Sequence, residues 1–526
     1  MTNAKVLVSD KLSDSGLAFL KGCGVAFDYK PGLKEDELAA AIGEYEGLVI
    51  RSGSKVTAKV LAKATKLKVV GRAGIGVDNV DVPEASKRGI IVMNTPTGNS
   101  VTTAEHAITL LMSLARKIPQ ATASMKTGAW EKTKFQGKEI AGKTLGIIGL
   151  GTIGRIVADR AQGLKMNVIA FDPVLTAEKA AALGVELVSV DQLLERADCI
   201  TIHSPLTPDT KNMLGEAAFN KVKKGLLLVN AARGGIVDEI ALAKAIKDGK
   251  VAGAALDVFE KEPVDPENPL LKLDEVIVTP HLGASTDEAQ DRVALEICEQ
   301  VVEYLKDGTI RNAINVPALP GEAQKQVEPY LGLAKRLGTL LGQLDKLDIR
   351  EVHVSCSGVP GELGVRPIAN AALAGYLGHF SEEPVNPVSA PYLAKERGIK
   401  VVESREQARG NTVTLTIIGG NGSLTARGRI SGSGESRLLH LNGTDLDTII
   451  EGRHVVIKND DRPGVIGAVG TVLGKREINV SRMQVGLDKD TKKALAFWSV
   501  NQPVPADALE ELRRIPGLTS VLLVDL

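Results

Sequence analysis

The chain has 526 residues, too many for one hydrophobic core, so several domains are expected. Lys+Arg and Asp+Glu both total 64, and the resulting formal net charge of zero removes a global electrostatic case for nucleic-acid or anionic-membrane binding. Cys23, Cys199, Cys298 and Cys356 are widely spaced with no C-x-x-C pair, which argues against a zinc ribbon or disulfide framework, so no metal is expected and a reduced cytoplasmic setting fits.

The N-terminal "MTNAKVLVSDKL" lacks the apolar run of a signal peptide, and no stretch reaches membrane-spanning length. Over the first hundred residues, short apolar runs ("KVLVSD", "VAFDYK", "GLVIRSG", "LKVVGRAG", "IIVMNTP") alternate with helical spacing ("SDSGLAFLKGC", "KEDELAAAIGEY", "TAKVLAKAT"). That alternation predicts a parallel sheet covered on both faces. Residues 99–118 then read as one long amphipathic helix. A second α/β series begins at "KTLGIIGLGTIGR" (143–155) and runs through "NVIAFDP", "CITIHSP", "LLLVNAARGG", "VAGAALDVFE" and "EVIVTPH" to another long helix over 285–308. The Pro/Gly-rich stretch 314–329 marks a boundary. Beyond it, helical patterns mix with polar strands, and "TVTLTIIGGNGSLTARGRI" reads as a hairpin about a Gly/Asn turn. The last segment reads strand (454–458), helix (463–476), two strands, helix (506–515), strand (519–525), the βαββαβ ferredoxin-like order.

"GLGTIG" (149–154) follows a strand and opens a helix, the context a dinucleotide fold needs. Gly149 suits the turn, Gly151 close approach of a pyrophosphate, and Gly154 helix–strand packing, with free N–H groups at the helix start for the phosphates. Asp172, 18 residues beyond Gly154 at the end of the next strand, suits two ribose hydroxyls and repels a 2′-phosphate, which favours NAD over NADP. "GRAGIGVDN" (71–79) completes no such motif and reads as backbone approaching a small anion.

Three later strands end at "AARGG", at Asp257 with Glu262 close behind, and at "TPHLGAST". They deliver Arg233, Glu262 and His281 to the carboxyl edge of a doubly wound sheet, where ligands bind. Alcohol oxidation by hydride transfer needs a base for the hydroxyl proton, which imidazole supplies; a carboxylate orients it and a guanidinium holds a carboxylate substrate. Arg51 and Arg72, at strand ends of the first unit, add cations suited to a phosphate. Lys132 and Lys134 in "WEKTKFQGKE" add a weaker option, reaching a neighbouring subunit's substrate. His106, His353 and His379 take the bland structural reading, and His203 reads as packing beside the cofactor strand ends.

"GLGTIGR", "NAARGGIVDE", "DVFEKEP" and "TPHLGAST" resemble, together and in order, the D-isomer-specific 2-hydroxyacid dehydrogenases over residues 4–317. The resemblance implies Arg233, Glu262 and His281 as the catalytic trio. It implies NAD contacts from Gly149, Gly151, Thr152, Ile153, Gly154, Asp172, Ser204, Ala231, Ala232, Asp257, Leu282, Gly283 and Ala284. Substrate contacts are expected from Arg51, Ser52, Arg72, Gly74, Ile75 and Lys132. It also implies a flavodoxin-like substrate domain (1–98 and 283–317), a Rossmann-type NAD domain (99–282), and two long helices spanning between them.

"VIKNDDRPGVIGAVGTVLGKREINVSRMQVG" resembles an ACT domain, an amino-acid-sensing module. The domain is expected over 453–526 with Asn459, Asp461 and Asn479 facing an effector, after an α+β intervening domain (318–452) that is a candidate anion or allosteric unit, with Arg437, His440, Arg453 and His454 clustered near its end. With that tail, the resemblance implies oxidation of 3-phospho-D-glycerate to 3-phosphohydroxypyruvate, feedback inhibition by L-serine and a homotetramer. Another D-2-hydroxyacid dehydrogenase (a glyoxylate or hydroxypyruvate reductase) and a non-catalytic NAD-sensing scaffold are the alternatives.

Overall fold

The computed structural model describes residues 4–317, 321–344, 347–382, 384–407, 410–488 and 491–526. Four sheets follow one another along the chain. The first holds β1 (Lys5–Val8), β2 (Ala26–Tyr29), β3 (Gly47–Ile50), β4 (Val69–Arg72) and β5 (Ile91–Met93), all parallel in the flavodoxin-like order β2-β1-β3-β4-β5. Its β-branched runs are buried on both faces, which is why they read as continuous apolar segments.

The second sheet is also parallel: β6 (Thr144–Ile148), β7 (Asn167–Phe171), β8 (Glu186–Leu187), β9 (Cys199–Ile202), β10 (Leu226–Asn230), β11 (Val251–Leu256) and β12 (Val276–Val278). Its order, β12-β11-β10-β9-β6-β7-β8, is the Rossmann order with one further strand, and the switch point falls between β6 and β9.

Two helices carry the chain between these sheets. Ser100–Arg116 leaves the first and packs on the second through Ala104, Leu111 and Leu114. Asp287–Asp307 leaves the second and returns to the first, burying Val293, Ile297 and Val301. The long helix expected over 99–118 stops at Arg116 because Lys117 turns left-handed (φ 52°). Pro119 then opens a separate helix, Ile118–Lys126, which buries no residue, while the freed carbonyl of Ala115 accepts from Lys138 N–H at 2.8 Å.

The third sheet comprises β13 (Ile349–Ser357), β14 (Lys400–Glu406), β15 (Thr412–Gly419), β16 (Gly422–Ile430), β17 (Ser436–Leu441) and β18 (Thr444–Ile449), in the order β14-β13-β15-β16-β17-β18. The expected hairpin is β15–β16, closing at Gly419↔Gly422. Helices Gly321–Leu344 and Val365–Gly378 pack together over this sheet.

The fourth holds β19 (Arg453–Asp460), β20 (Val480–Leu487), β21 (Lys493–Val500) and β22 (Leu518–Asp525), ordered β20-β21-β19-β22, with helices Val465–Gly474 and Ala506–Arg513 on one face. Alternation divides its side chains: Val455, Ile457 and Trp498 pack under those helices, while Val456, Phe497 and Val524 join the core of the third sheet. The last two units therefore share one hydrophobic core.

Candidate active site

β10, β11 and β12 are adjacent and parallel, so the segments that follow them leave the sheet along one rim. Glu262 and His281 meet there. Glu262 Oε2 accepts from His281 Nδ1 at 2.8 Å, and Oε1 accepts from Phe259 N–H at 3.1 Å. A carboxylate can only accept, so Nδ1 carries the proton and Nε2 is left to receive one. His281 is itself left-handed (φ 56°), and its N–H donates to the Asp257 carbonyl at 2.9 Å.

Asp257 fixes that loop. Its side chain, 1% exposed, accepts from Thr279 Oγ1 at 2.6 Å, Leu282 N–H at 2.7 Å and Gly283 N–H at 2.8 Å, with His106 Nε2 at 3.2 Å. Burial pushes its carboxyl up, but the bonds from His106, Thr279 and Leu282 outweigh burial and hold it below the usual carboxylate range. Thr103 Oγ1 adds a bond to the Gly283 carbonyl at 3.0 Å. The helix that leaves the first sheet thus grips the loop carrying His281 from behind. Both oxygens of Asp257, expected at the cofactor, are taken up by protein groups, and His106 is more than the packing residue expected from sequence.

At the glycine turn, Gly149 has φ 95° and a Cβ there would stand 2.7 Å from the His203 carbonyl oxygen; at Gly154 it would stand 2.1 Å from that of Gly149. Gly151, by contrast, has nothing within 4 Å of a Cβ position and caps helix Thr152–Gly163, whose first-turn N–H groups at Thr152 and Ile153 have no intrahelical partner and no hydrogen bond to other described residues. Open space before a helix N-terminus fits a dinucleotide pyrophosphate. Asp172 braces this loop: Oδ2 accepts from Leu150 N–H at 2.8 Å, and Oδ1 from Val174 and Leu175 N–H at 2.9 and 3.0 Å. Ser204 Oγ donates to the Ile148 carbonyl at 3.1 Å, and Ala232 N–H to Asn230 Oδ1 at 3.1 Å beside buried Ala231. The enclosed His203 ring is pushed down to about 4 by burial and is neutral at pH 7.

From the β10 end, Arg233 reaches the first unit, where Nε donates to Asp78 Oδ2 at 3.0 Å. Arg72 ends β4 close by. Burial and then the positive charge of Arg233 push its guanidinium down to about 10, still charged at neutral pH, and its Nε is buried with no acceptor among the described residues. Arg51 adds a third cation; Asp10 Oδ2 holds its backbone N–H at 2.6 Å, and Nη1 donates weakly to the Lys11 carbonyl at 3.3 Å. Gly74 N–H is held by Thr95 Oγ1 at 2.8 Å and the Ile75 carbonyl by Asn94 Nδ2 at 2.5 Å, while Ser52 is exposed at the same strand ends. Lys132 stands apart, exposed, with no ion pair among the described residues. Asp78, Asp10 and Thr103 were not singled out from sequence. Asp78 lies inside the quoted "GVDN", but nothing in that string signals a partner across the cleft.

The effector residues are not brought together. Register sets Asp460 level with Lys493, and Val480 level with Val500 at the other end of β21. Asn459 and Asp461 therefore lie at one end of the fourth sheet and Asn479 at the opposite end, roughly 23 Å away at the rise of a strand. Asn459 Nδ2 donates to the Asp460 carbonyl at 2.7 Å, and Asp461 and Asn479 are exposed.

Residues 108–283 match the D-isomer specific 2-hydroxyacid dehydrogenase NAD binding domain, 326–442 the D-3-phosphoglycerate dehydrogenase intervening domain, and 453–517 the ACT domain. The chain is 42% identical to D-3-phosphoglycerate dehydrogenase of Archaeoglobus fulgidus, covering 99% of this chain and 100% of that one. It is 41% identical to that of Bacillus subtilis, covering 99% of each. Among solved structures, D-lactate dehydrogenase from Aquifex aeolicus complexed with NAD and lactic acid is 26% identical with a TM-score of 0.54, covering 60% of this chain and all of that one.

Proposed function

This chain belongs to the D-isomer specific 2-hydroxyacid dehydrogenase family, among the D-3-phosphoglycerate dehydrogenases, and on that premise we propose how its residues divide the work. It oxidises 3-phospho-D-glycerate to 3-phosphohydroxypyruvate with NAD, the step that opens serine synthesis. NAD, when bound, accepts the hydride that leaves C2. His281 Nε2 takes the proton of the 2-hydroxyl as the carbonyl forms, and Glu262, hydrogen-bonded at Nδ1, stabilises the imidazolium. Arg233 holds the substrate carboxylate. Thr152 and Ile153 at the glycine turn hold the pyrophosphate and Asp172 the ribose, while Ser204, Ala231, Ala232 and residues 282–284 complete the pocket. Asp257 positions the last of these.

One observation carries the phosphate assignment: a buried Arg72 N–H without an acceptor, set between two further guanidiniums. Arg51 and Arg72, with Ser52, Gly74 and Ile75, receive that phosphate. Steady-state kinetics on 3-phospho-D-glycerate and D-glycerate test it. Equal kcat/KM for the two would remove the phosphate site.

Residues 1–98 with 283–317 form the substrate domain, 99–282 the NAD domain, 318–452 the intervening domain and 453–526 the ACT domain. L-Serine is the effector, its ammonium on Asp461 and its carboxylate on the Asn459 and Asn479 amides. Because these lie at opposite ends of one sheet, the site needs two chains. β20 is an edge strand carrying the exposed apolar side chains Met483, Val485 and Leu487, and antiparallel pairing with a second copy brings Asn479 of one chain to Asp461 of the other. The exposed Ile118, Met125 and Trp130 supply a second self-pairing surface, next to Lys132, so two kinds of contact build a homotetramer. The cysteines are unpaired, and burial pushes the thiols of Cys199, Cys298 and Cys356 up to about 12, which suits the cytoplasm. No helix among the described residues is long and apolar enough to cross a membrane.

A further inference from the structure

A second cleft, of about 730 Å3, lies in the seam between the strap at 314–317, where the chain leaves the first sheet's unit, and the unit built on the third sheet. The two walls are fastened together. Asn386 Nδ2 donates to the Gly89 carbonyl at 2.8 Å, and Val388 packs into the core of the first sheet. The cleft is thus a built part of the seam, of a size that holds a small molecule.

Its lining is graded. Leu373, Val388 and Ile399 are buried and apolar. Among them stands Asn370, 9% exposed, whose carboxamide makes no hydrogen bond with any described residue. Its amide lines the cleft and can pair with a polar ligand group in place of water. At the rim, Arg366, Lys395 and Lys400 outnumber the one lining carboxylate, Glu403. Arg366 faces Glu403 at 3.3 Å and Lys400 faces Glu351 at 3.4 Å, whereas Lys395 has no ion pair among the described residues.

We propose that this seam binds a small organic carboxylate. Its anionic end lies at the wet rim against Lys395 and Arg366, its carbon skeleton on Leu373, Val388 and Ile399, and a hydroxyl or amide at its far end on Asn370. The apolar lining rules against a compact phosphate dianion at depth, which would lose its hydration without recovering it. Occupancy reaches the catalytic half through the strap: Asn315, one of the lining residues, accepts from Val92 N–H at 2.9 Å and donates to the Ile90 carbonyl at 2.8 Å, both at β5.

The test is ligand-observed saturation-transfer NMR on the full-length protein with 3-hydroxybutyrate, butyrate and inorganic phosphate. 3-Hydroxybutyrate has the carboxylate and a distal hydroxyl but no 2-hydroxyl to react. It is expected to saturate, to bind several-fold more tightly than butyrate, and to resist displacement by phosphate. Lys395→Gln is expected to weaken it at least about fivefold, and Asn370→Leu to erase the difference between the two carboxylates. Should Asn370→Leu fail to fold, Lys395→Gln decides alone, since it changes only an exposed rim residue. Absence of saturable binding, affinity unchanged in Lys395→Gln, or displacement by phosphate would each overturn the proposal.

Discussion

Arg233, Glu262 and His281 all follow neighbouring parallel strands, whereas Asp461 follows β19 and Asn479 precedes β20, a strand parallel to β19 across β21. Both regions place polar side chains at strand ends. Residues after parallel strands share a rim, and residues before and after parallel strands take opposite rims. The proposed catalytic cleft is therefore assembled within one chain and braced by a buried carboxylate, while the proposed effector residues fall at two separated ends. On the proposed roles, proton transfer draws on one chain and effector binding on two.

The largest expected effect falls on the complete site. His281→Ala should lower kcat by about 10^2- to 10^4-fold, the range for losing a general base, with NAD affinity, read by fluorescence titration, unchanged. Turnover retained in that variant would remove His281 from the proton path and dissolve one side of the comparison. Next comes Arg72→Gln. Loss of charge-assisted bonds from a partly buried guanidinium should raise KM for 3-phospho-D-glycerate by about tenfold to a hundredfold and leave D-glycerate kinetics nearly alone. An equal loss on both substrates would show that Arg72 supports the fold and not the phosphate.

A third measurement addresses the split site directly. Asp461→Ala and Asn479→Ala should each abolish serine inhibition while sparing turnover. Co-expression of the two variants should restore inhibition in part, because a mixed pair contains one intact site built from the wild-type residue of each chain. Mixed assemblies as insensitive as either parent would place the effector within one chain, against the register of the fourth sheet.

The first and last sheets are legible in the sequence, the second all but its short strand β8, and of the third only the β15–β16 hairpin. β-Branched apolar runs punctuated by Gly and Pro gave all five strands of the first sheet, and the βαββαβ order of the tail follows from its periodicity. The meeting of Glu262 and His281 is legible because each sits past a strand and parallel strands share an exit. The break at Lys117 was not, since the helical pattern continues through it and only the Pro119 ring decides against one helix. Motif position groups Asn479 with Asn459 and Asp461 but says nothing about which end of a sheet a residue occupies; only the pairing register does. His106 reads only as packing in the sequence because its partner Asp257 lies at β11's exit, far along the chain, and no local spacing joins them.

That last pair supplies the smallest and most specific test. Asp257 lies under the His281 loop, and His106 is the side chain most responsible for drawing its carboxyl down against burial. A carboxyl depressed in the folded state adds stability that is complete above its unfolded value of about 4 and is lost as pH falls through the folded value. Removing His106 lets the folded value rise, so the acid-side loss should be smaller and complete at higher pH. His106→Leu should cost about 1 kcal/mol near neutrality, the net worth of one hydrogen bond, and progressively less as the pH falls through the carboxylate range. Thermal unfolding followed from neutral pH down to about pH 2 reads both. Because the loop carries His281, kcat should fall a few-fold while KM for the phosphorylated substrate stays put, a division that general destabilisation would not produce. Coincident pH profiles for variant and parent would mean that Thr279 and the loop amides hold Asp257 unaided, and that the helix behind the catalytic loop contributes only its packing.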